Sequence, residues 1–430
     1  MAELKHTCLR LCQTVDWLLE QSRLWQTEAL EFLNDFSLLL YAAAYGGTAD
    51  LLVFDRFFRE PKRQEVTEGI LSRYPSLKEL DYEFGRGLKR ISDEAWRELA
   101  ECFHAFSPEG QLQKYGGKLF DYVLQSMYRK ERISNFITPQ SLAHMMADML
   151  EPRQGELVID PVCGCGRLLT AAAARCGGGR YIGNDLDGRI RTTAFFNTAL
   201  HGMKDVELYQ EDFLRGTWER QGDLILANPP YSDDVHATIR FLKKIMGTLK
   251  MGGRCGVLVP EGFLTNAVNA HVIAMRQILL CQYSLEAVIS LPRKIYRPYT
   301  FSKSSLILVK KEKASPGHLT FFGSVAEYEG PENQFSDQVY GREMKRIAEA
   351  WKGWRRGECG SDTVRGNTGF WVASLEEIRE KGYVFGADYY QKSKYKYTKP
   401  QRDKVWDNIF AGQKELERFV SDYFREDSAI

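Results

Sequence analysis

Residues 156–166 read Glu156-Leu157-Val158-Ile159-Asp160-Pro161-Val162-Cys163-Gly164-Cys165-Gly166, an apolar run that ends in an acid and leads into a glycine turn. The apolar run predicts a buried parallel strand. Residues 167–176 are rich in alanine, which favours a helix directly after the turn. A strand, a tight glycine turn and a helix form the opening unit of a nucleotide-binding α/β sheet. A dinucleotide fingerprint would have a third glycine three residues after Gly166, where Leu169 stands. The pattern therefore favours a ligand without a pyrophosphate, such as S-adenosylmethionine.

Three further apolar segments also end in polar side chains. Residues 180–185 end in Asp185, nineteen residues after Gly166, which is close to the spacing at which an acid accepts ribose hydroxyls. A third strand near residues 206–209 leads into Asp212, which we expect to accept from an adenine amine, while Phe213 packs on the ring. Each acid alone is typical of a solvated strand end. Together, the ends of four strands predict a ligand site along the carboxyl edge of one sheet; they are Asp160, Asp185, Asp212 and Asn228.

The fourth of these strands runs into Asn228-Pro229-Pro230-Tyr231. This tetrapeptide suits the methylation of an exocyclic amine, which is a poor nucleophile because its lone pair is delocalised into the ring. The Asn228 side-chain oxygen and the Pro229 main-chain carbonyl can accept both N–H bonds of such an amine. The prolines keep the loop rigid and donate no backbone N–H, and Tyr231 offers a ring on which a flipped base can stack. The alternative interpretation is a proline-rich turn that closes a strand.

These motifs resemble those of amino-group DNA methyltransferases. More narrowly, the chain resembles the modification subunit of type I restriction-modification systems and its stand-alone adenine methylase relatives. Phe136-Ile137-Thr138-Pro139 supports the narrower likeness, because such an element holds the methionine end of the cofactor in that family. The likeness covers roughly residues 115–312, including the later strands at 259–264 and 285–292, and is weaker at 378–383 and 389–390. The chain departs from the family at two places: Cys165 replaces a commoner Thr or small residue, and Ser134-Asn135 a usual glycine.

The resemblance implies an α/β fold, a Rossmann-like class I S-adenosylmethionine-dependent methyltransferase sheet with an α-helical N-terminal domain and a largely helical C-terminal segment. It implies site-specific methyl transfer from S-adenosylmethionine to N6 of a flipped adenine in double-stranded DNA, within a restriction-modification or related system. The expected catalytic residues are Asn228, Pro229, Pro230 and Tyr231. The expected cofactor-binding residues are Phe136, Thr138, Pro139, Asp160, Pro161, Cys163, Gly164, Gly166, Asp185, Asp212, Phe213 and Asn228.

Length and pattern predict three regions. Residues 1–130 show the apolar periodicity of helices, and residues 131–313 alternate strands and helices as a catalytic core with a parallel sheet. Ser305–Lys310 is the candidate for a final, reversed strand that the family's fold would add. Residues 314–430 are charged and mostly helical in pattern, and end in an amphipathic segment near residues 401–424 that we expect to contact a partner or DNA.

Composition indicates an ordinary globular protein. Hydrophobic residues make up 44% of the 430 residues and charged residues 27%, and no apolar run is long enough to span a bilayer. Met1–Arg10 lacks the build of a signal peptide. The nine cysteines have neither metal-ligand spacing nor the density of a disulfide scaffold, and the seven histidines are scattered. We therefore expect reduced thiols, a cytoplasmic location, no membrane and no metal.

The charge balance predicts a protein partner. Fifty-eight basic residues are nearly cancelled by 57 acidic ones, whereas proteins that grip DNA unaided usually carry a basic excess. With no visible recognition domain, we expect a separate DNA-specificity subunit. A local basic excess is interleaved with aromatic residues and is either a DNA-facing loop or a solvated strand; its basic members are Arg293, Lys294, Arg297, Lys303, Lys310, Lys311 and Lys313.

Two other classes of function remain open from the sequence. The same tetrapeptide serves enzymes that methylate protein glutamine amides or guanine in RNA, because those nitrogens pose the same chemical problem. A non-catalytic scaffold that binds the cofactor is a third reading. The helical N-terminal region and the Phe136-Ile137-Thr138-Pro139 element favour the DNA enzyme.

Overall fold

The computed structural model describes residues 2–22, 24–45, 63–104, 111–133, 137–230, 235–297, 299–300, 302–327, 336–358 and 370–390. Phe136, Tyr231 and the predicted amphipathic segment at 401–424 lie outside these residues. No described helix is long and apolar enough to cross a membrane.

Within the described residues, nine strands form one sheet in the order β3-β2-β1-β4-β5-β7-β6-β8-β9. The strands β1 to β5 pair in parallel, and β7 runs antiparallel to both β5 and β6, which confirms the predicted reversed strand. The bounds are β1 (Leu157–Asp160), β2 (Arg180–Asn184), β3 (Val206–Tyr209), β4 (Gly222–Ala227), β5 (Leu249–Pro260), β6 (Ser284–Ser290), β7 (Ser304–Lys310), β8 (Leu319–Ser324) and β9 (Phe370–Ser374).

Helices of the described residues surround the sheet and form the N-terminal region. They are α1 (Ala2–Gln21), α2 (Thr27–Tyr45), α3 (Arg63–Arg73), α4 (Asp93–His104), α5 (Gly116–Arg129), α6 (Gln140–Leu150), α7 (Arg167–Ala173), α8 (Gly188–Leu200), α9 (Val235–Thr248), α10 (Glu261–Thr265), α11 (Ala270–Cys281), α12 (Ser336–Arg355) and α13 (Leu375–Glu380).

The central strands of the sheet are buried on both faces. Successive side chains of a strand point to opposite sides, and here they enter two different cores. Val158 of β1 and Leu224 of β4 pack in a core with helices α6, α7 and α12. Their neighbours Ile159 and Ile225 pack in a second core with α9 and α11. Burial on both faces explains why the strands are nearly continuous apolar runs. The carboxyl ends of the parallel strands lie at one edge of the sheet, and the loops that follow these strands meet there.

The N-terminal helices have their own core and contact α8. Phe196 and Leu200 of α8 belong to the apolar cluster that α1, α2, α4 and α5 build. Asn34 of α2 adds two polar contacts: its amide donates to the Arg189 carbonyl at 3.0 Å, and its oxygen accepts from the Thr193 hydroxyl at 2.7 Å. The predicted helical character of this region is confirmed. Its contacts with α8 bring it next to the loop that follows β2.

The sheet continues beyond the catalytic core that the sequence predicts. Strands β8 and β9 follow residue 313, pair with each other, and join the sheet through β6. Trp351 of α12 covers this part of the sheet, and its indole donates to the Met149 carbonyl at 2.8 Å. The expected boundary at residue 313 therefore falls between strands of one sheet, and the division into three regions stays a prediction.

Candidate active site

The glycine turn after β1 is held in a left-handed conformation at two positions. Gly164 has a φ of 53° and Gly166 a φ of 77°, where a side chain would be strained. The backbone N–H of Cys163 donates to the Asn184 carbonyl at 2.7 Å, and the Asn197 amide donates to the Cys165 carbonyl at 2.7 Å. The turn is thus fixed from β2 on one side and from α8 on the other.

Asp160 ends β1 under this turn and is completely buried. One carboxylate oxygen accepts from the Val162 N–H at 3.2 Å, and the other has no hydrogen-bond partner among the described residues. Burial raises the pKa of Asp160 well above its usual value, and the charge of Asp185 adds to that rise. A buried acceptor without a donor is costly, so this oxygen fits a ligand that brings a donor.

Asp185, just after β2, is hydrogen-bonded to the glycine turn. Its two carboxylate oxygens accept from the N–H groups of Gly164 and Asp187, each at 3.0 Å. Burial raises the pKa of Asp185, although the two backbone donors act in the opposite direction. Each oxygen retains a lone pair for a further donor. The structure therefore brings Asp160 and Asp185 together around the turn, at the edge that the sequence predicts.

Asn184 links three loops of the site, a role that the sequence analysis did not identify. Its amide nitrogen donates to the carbonyls of Pro161 and Glu211, both at 3.0 Å, and its oxygen accepts from the Glu211 N–H at 2.9 Å. The side chain is buried, so these bonds are shielded from water. The sequence signal that could have identified it is a polar residue at the end of a strand, directly before Asp185.

Asp212 and Phe213 follow β3 and are engaged with their own neighbourhood. One Asp212 oxygen accepts from the N–H groups of Leu214 and Arg215 at 3.0 and 3.1 Å, and so holds a turn. The Phe213 ring is buried, with its centroid 5.4 Å from the Trp218 ring and 6.4 Å from the Phe241 ring. Asp212 lies at the expected edge, whereas Phe213 contributes to the core. Their roles toward a cofactor stay predictions.

Asn228 follows β4 directly and lies against Thr138. Its amide nitrogen donates to the Thr138 hydroxyl at 3.1 Å, and its oxygen faces the Tyr296 hydroxyl at 3.5 Å. Pro229 is buried and Pro230 is exposed. The two elements that the sequence places ninety residues apart, around Thr138 and Asn228, are thus in contact.

Pro139 and Cys163 are two further predicted positions that the structure describes. Pro139 is buried and precedes the first residue of α6, so it directs the chain from Thr138 into that helix. Burial also raises the pKa of the Cys163 thiol well above its usual value, so this cysteine is a packed neutral group. Phe136 and Tyr231 adjoin Thr138 and Pro230 in sequence but lie outside the described residues.

The predicted basic cluster is divided by β7. Arg293, Lys294 and Arg297 follow β6 at the carboxyl edge, and Lys303 precedes β7 at the same edge. Lys310 ends β7 and Lys311 follows it, about 20 Å away for a strand of this length. The Lys311 ammonium donates to the carbonyl of Leu249, the first residue of β5, at the opposite edge. The basic residues are therefore divided between loops and a strand and do not form one loop, and contact of those at the carboxyl edge with DNA stays a prediction.

Comparisons with known proteins agree with this geometry. The family model described as N-6 DNA Methylase matches residues 113–240 and 235–398. The chain is 22% identical over 228 residues to the type I restriction enzyme EcoEI methylase subunit of Escherichia coli, covering 45% of this chain and 46% of that protein. It is 24% identical over 290 residues to the type I restriction enzyme MjaVII methylase subunit of Methanocaldococcus jannaschii, covering 59% of this chain and 48% of that protein. The chain thus spans about half the length of these two curated relatives. A HindI methylase subunit of Haemophilus influenzae is 21% identical over 84% of this chain and 86% of its own length.

Solved structures share the fold. The methyltransferase subunit of a type I restriction-modification system from Streptococcus thermophilus has a TM-score of 0.64 at 18% identity, covering 90% of this chain and 98% of that one. A chain from a structural study of type I complex assembly has a TM-score of 0.66 at 18% identity, covering 99% and 97%. These likenesses confirm the predicted methyltransferase fold. With two thirds of its sequence matched by the family model, the chain belongs to the N-6 DNA methylase family.

Proposed function

We propose that this chain transfers a methyl group from S-adenosylmethionine to the N6 amino group of an adenine in double-stranded DNA. One observation carries the proposal: Asn228 directly follows β4 at the carboxyl edge with its amide oxygen turned away from Thr138, in a chain of the N-6 DNA methylase family. An acceptor at that place suits an amine that must be made nucleophilic.

The residues around the glycine turn fit S-adenosylmethionine. The unpartnered Asp160 oxygen suits a donor from the ligand, and Asp185 suits ribose hydroxyls, which a carboxylate accepts in pairs. Thr138 and Pro139, together with Phe136, are proposed for the methionine end, and Asp212 for the adenine amine. When bound, S-adenosylmethionine supplies a methyl group already activated by its sulfonium. The protein's contribution is then alignment and electrostatics.

The chain's own acceptors carry the proposed chemistry. The Asn228 amide oxygen and the Pro229 carbonyl accept the two N–H bonds of the target amine. As the amine attacks, positive charge grows on its nitrogen, and these acceptors bind that charged form better than the neutral one. Tyr231 is proposed to stack on the flipped base. No nucleophilic cysteine is needed for transfer to an amine.

A separate specificity subunit is proposed as the partner that selects the DNA site. The near-zero net charge supports it, because unaided DNA binding usually needs a basic excess. The division of the basic cluster adds support, since only Arg293, Lys294, Arg297 and Lys303 remain at the edge of the proposed active site. The segment at 401–424 is proposed to dock the partner.

Tritiated S-adenosylmethionine tests the proposal directly. We expect the full chain with its specificity subunit to label duplex DNA on adenine N6, and Asn228→Ala to label none above background. RNA and protein extracts are tested in parallel, because the same tetrapeptide occurs in enzymes that methylate RNA guanine or protein glutamine. Label in either of them, with none in DNA, would refute the DNA assignment. Cofactor binding without label in any substrate would indicate a scaffold.

A further inference from the structure

An arginine is buried behind the glycine turn. Arg167 is the first residue of α7, and its side chain is 5% exposed. One guanidinium nitrogen donates to the Thr138 carbonyl at 3.4 Å, and another lies 3.5 Å from a carboxylate oxygen of Asp121 in α5. A buried guanidinium is stable only with such acceptors. The side chain therefore joins three elements: the N-terminal helices, the glycine turn and the segment that carries Thr138.

Asp121 is held as a charged partner for this arginine. Its other oxygen lies 3.1 Å from the His201 ring nitrogen and 3.3 Å from the Gln140 amide, which donates to it. Burial acts to raise the pKa of Asp121, but the His201 hydrogen bond and the Arg167 charge outweigh it, so the pKa lies below its usual value. The carboxylate thus stays ionised at neutral pH and can hold Arg167 in place.

Thr138 connects Arg167 to Asn228. Its carbonyl accepts from Arg167, while its hydroxyl accepts from the Asn228 amide nitrogen at 3.1 Å. An asparagine amide has a donor end and an acceptor end. With the donor end on Thr138, the acceptor end faces the other way, toward the Tyr296 hydroxyl. A rotated amide would turn N–H groups toward an incoming amine and oppose the reaction.

We infer that Arg167 and Asp121 form a buried brace that positions Thr138 and, through it, the amide of Asn228 for methyl transfer. The inference rests on the proposed function, and deepens it by naming two positioning residues. Neither side chain touches the reacting amine. Their effect is on the orientation of the Asn228 amide, which is the group proposed to contact that amine.

Arg254 provides a matched control. It also bridges a carboxylate and backbone carbonyls in a largely buried place, with Glu156 at 2.7 Å and the Leu150 carbonyl at 2.6 Å. It lies in β5 opposite Leu224, away from the edge where Asn228 lies. Arg254→Met and Arg167→Met therefore remove the same type of interaction from two places, and only the second affects the brace.

Single-turnover transfer to DNA at saturating cofactor gives the first readout. A displacement near 1 Å at a reacting group can slow transfer on the order of a hundredfold. We expect the transfer rate of Arg167→Met to fall by between about tenfold and a hundredfold while the cofactor is kept saturating. Arg254→Met should keep the wild-type rate, and Arg167→Lys should recover part of it. Equal rates for the Arg167→Met and Arg254→Met variants would overturn the inference.

The side-chain amide signals of Asn228 give a second readout that needs no substrate. In protein labelled with ¹⁵N-asparagine, the signals are assigned by their loss in Asn228→Asp. We expect them to shift or double in Arg167→Met and to stay in place in Arg254→Met. Unchanged signals in Arg167→Met would refute the brace. If the wild-type chain transfers no methyl to DNA, the proposed function fails while these signals still decide the brace.

A double variant tests the route through Thr138. If Arg167 acts through Thr138, the double variant Thr138→Val with Arg167→Met should be no slower, at saturating cofactor, than the slower single variant. Multiplied losses would show that Arg167 acts by another route and would overturn the inference. Should Arg167→Met fail to fold, Asp121→Asn takes its place with the same criteria.

Discussion

Replacing Asp160 by asparagine should raise the free energy of unfolding of the cofactor-free chain and lower its affinity for S-adenosylmethionine. The carboxylate is completely buried, and one of its oxygens has no partner among the described residues. A buried unsatisfied polar group costs about 1–3 kcal/mol, and more when it is charged. Asparagine keeps an oxygen for the Val162 N–H and removes the charge, so the unpartnered position is taken by a neutral NH2 group, which is less costly to bury than a carboxylate oxygen. We therefore expect Asp160→Asn to raise the free energy of unfolding without cofactor by about 1 kcal/mol or more at neutral pH.

The same change should reduce cofactor affinity. A hydrogen bond to a charged group contributes about 1.5–3 kcal/mol, which corresponds to a loss of roughly ten- to a hundredfold. Calorimetry with S-adenosylmethionine measures this loss, and urea unfolding without cofactor measures the gain. The pKa of Asp160 is raised in the folded state, so its contribution to stability is fully present below the usual aspartate pKa and is lost as pH rises through the raised value. The advantage of Asp160→Asn should therefore grow with pH over that range.

Asp223→Asn is the control, because we expect it to change the free energy of unfolding in the opposite direction. Asp223 accepts from the Leu157 N–H at 2.9 Å and pairs with Lys250 at 2.8 Å, and these partners outweigh burial and lower its pKa. Its replacement should destabilise the chain and leave cofactor affinity unchanged. If Asp160→Asn destabilised the cofactor-free chain as Asp223→Asn does, or bound S-adenosylmethionine like wild type, the assignment of the unpartnered oxygen to the ligand would be refuted.

Three further outcomes follow from the site. Asn228→Ala should slow transfer about a hundredfold or more, equivalent to roughly 3 kcal/mol, with cofactor binding nearly intact; near-wild-type turnover would contradict its role. Asp185→Ala should weaken S-adenosylmethionine binding by roughly 1.5–3 kcal/mol, measured by calorimetry, and unchanged affinity would exclude the ribose contact. The chain without its specificity subunit should bind DNA weakly, with little sequence preference and strong dependence on salt, in a filter-binding titration. Tight, site-specific methylation by the chain alone would show instead that recognition is built in.

The edge of the sheet was predictable because it depends on local pattern. Each apolar run is short, ends in a polar residue, and is followed by turn or helix signals, so Asp160, Asp185 and Asn228 could be assigned to the same edge before any contact was known. Parallel pairing then requires these ends to meet. The reversed β7 was predictable only from the resemblance, since periodicity carries no strand direction.

The features that were missed all depend on distant partners. Strands β8 and β9 lie in a charged region; β8 pairs with β6, from which β7 separates it in the sequence, and β9 pairs with β8. The seven basic residues look like one cluster in the sequence because they are close in number, but β7 carries part of them to the opposite edge. In each case the tertiary partner, rather than the local pattern, determines the position.

Helix α8 connects the cofactor edge with the N-terminal helices. It begins three residues after Asp185, and its Asn197 holds the Cys165 carbonyl in the glycine turn. One and two turns earlier in the same helix, Thr193 and the Arg189 carbonyl bind Asn34 of α2. The same helix therefore contacts both the N-terminal helices and the glycine turn. A helical region without catalytic residues of its own is thereby part of the physical support of the proposed cofactor site.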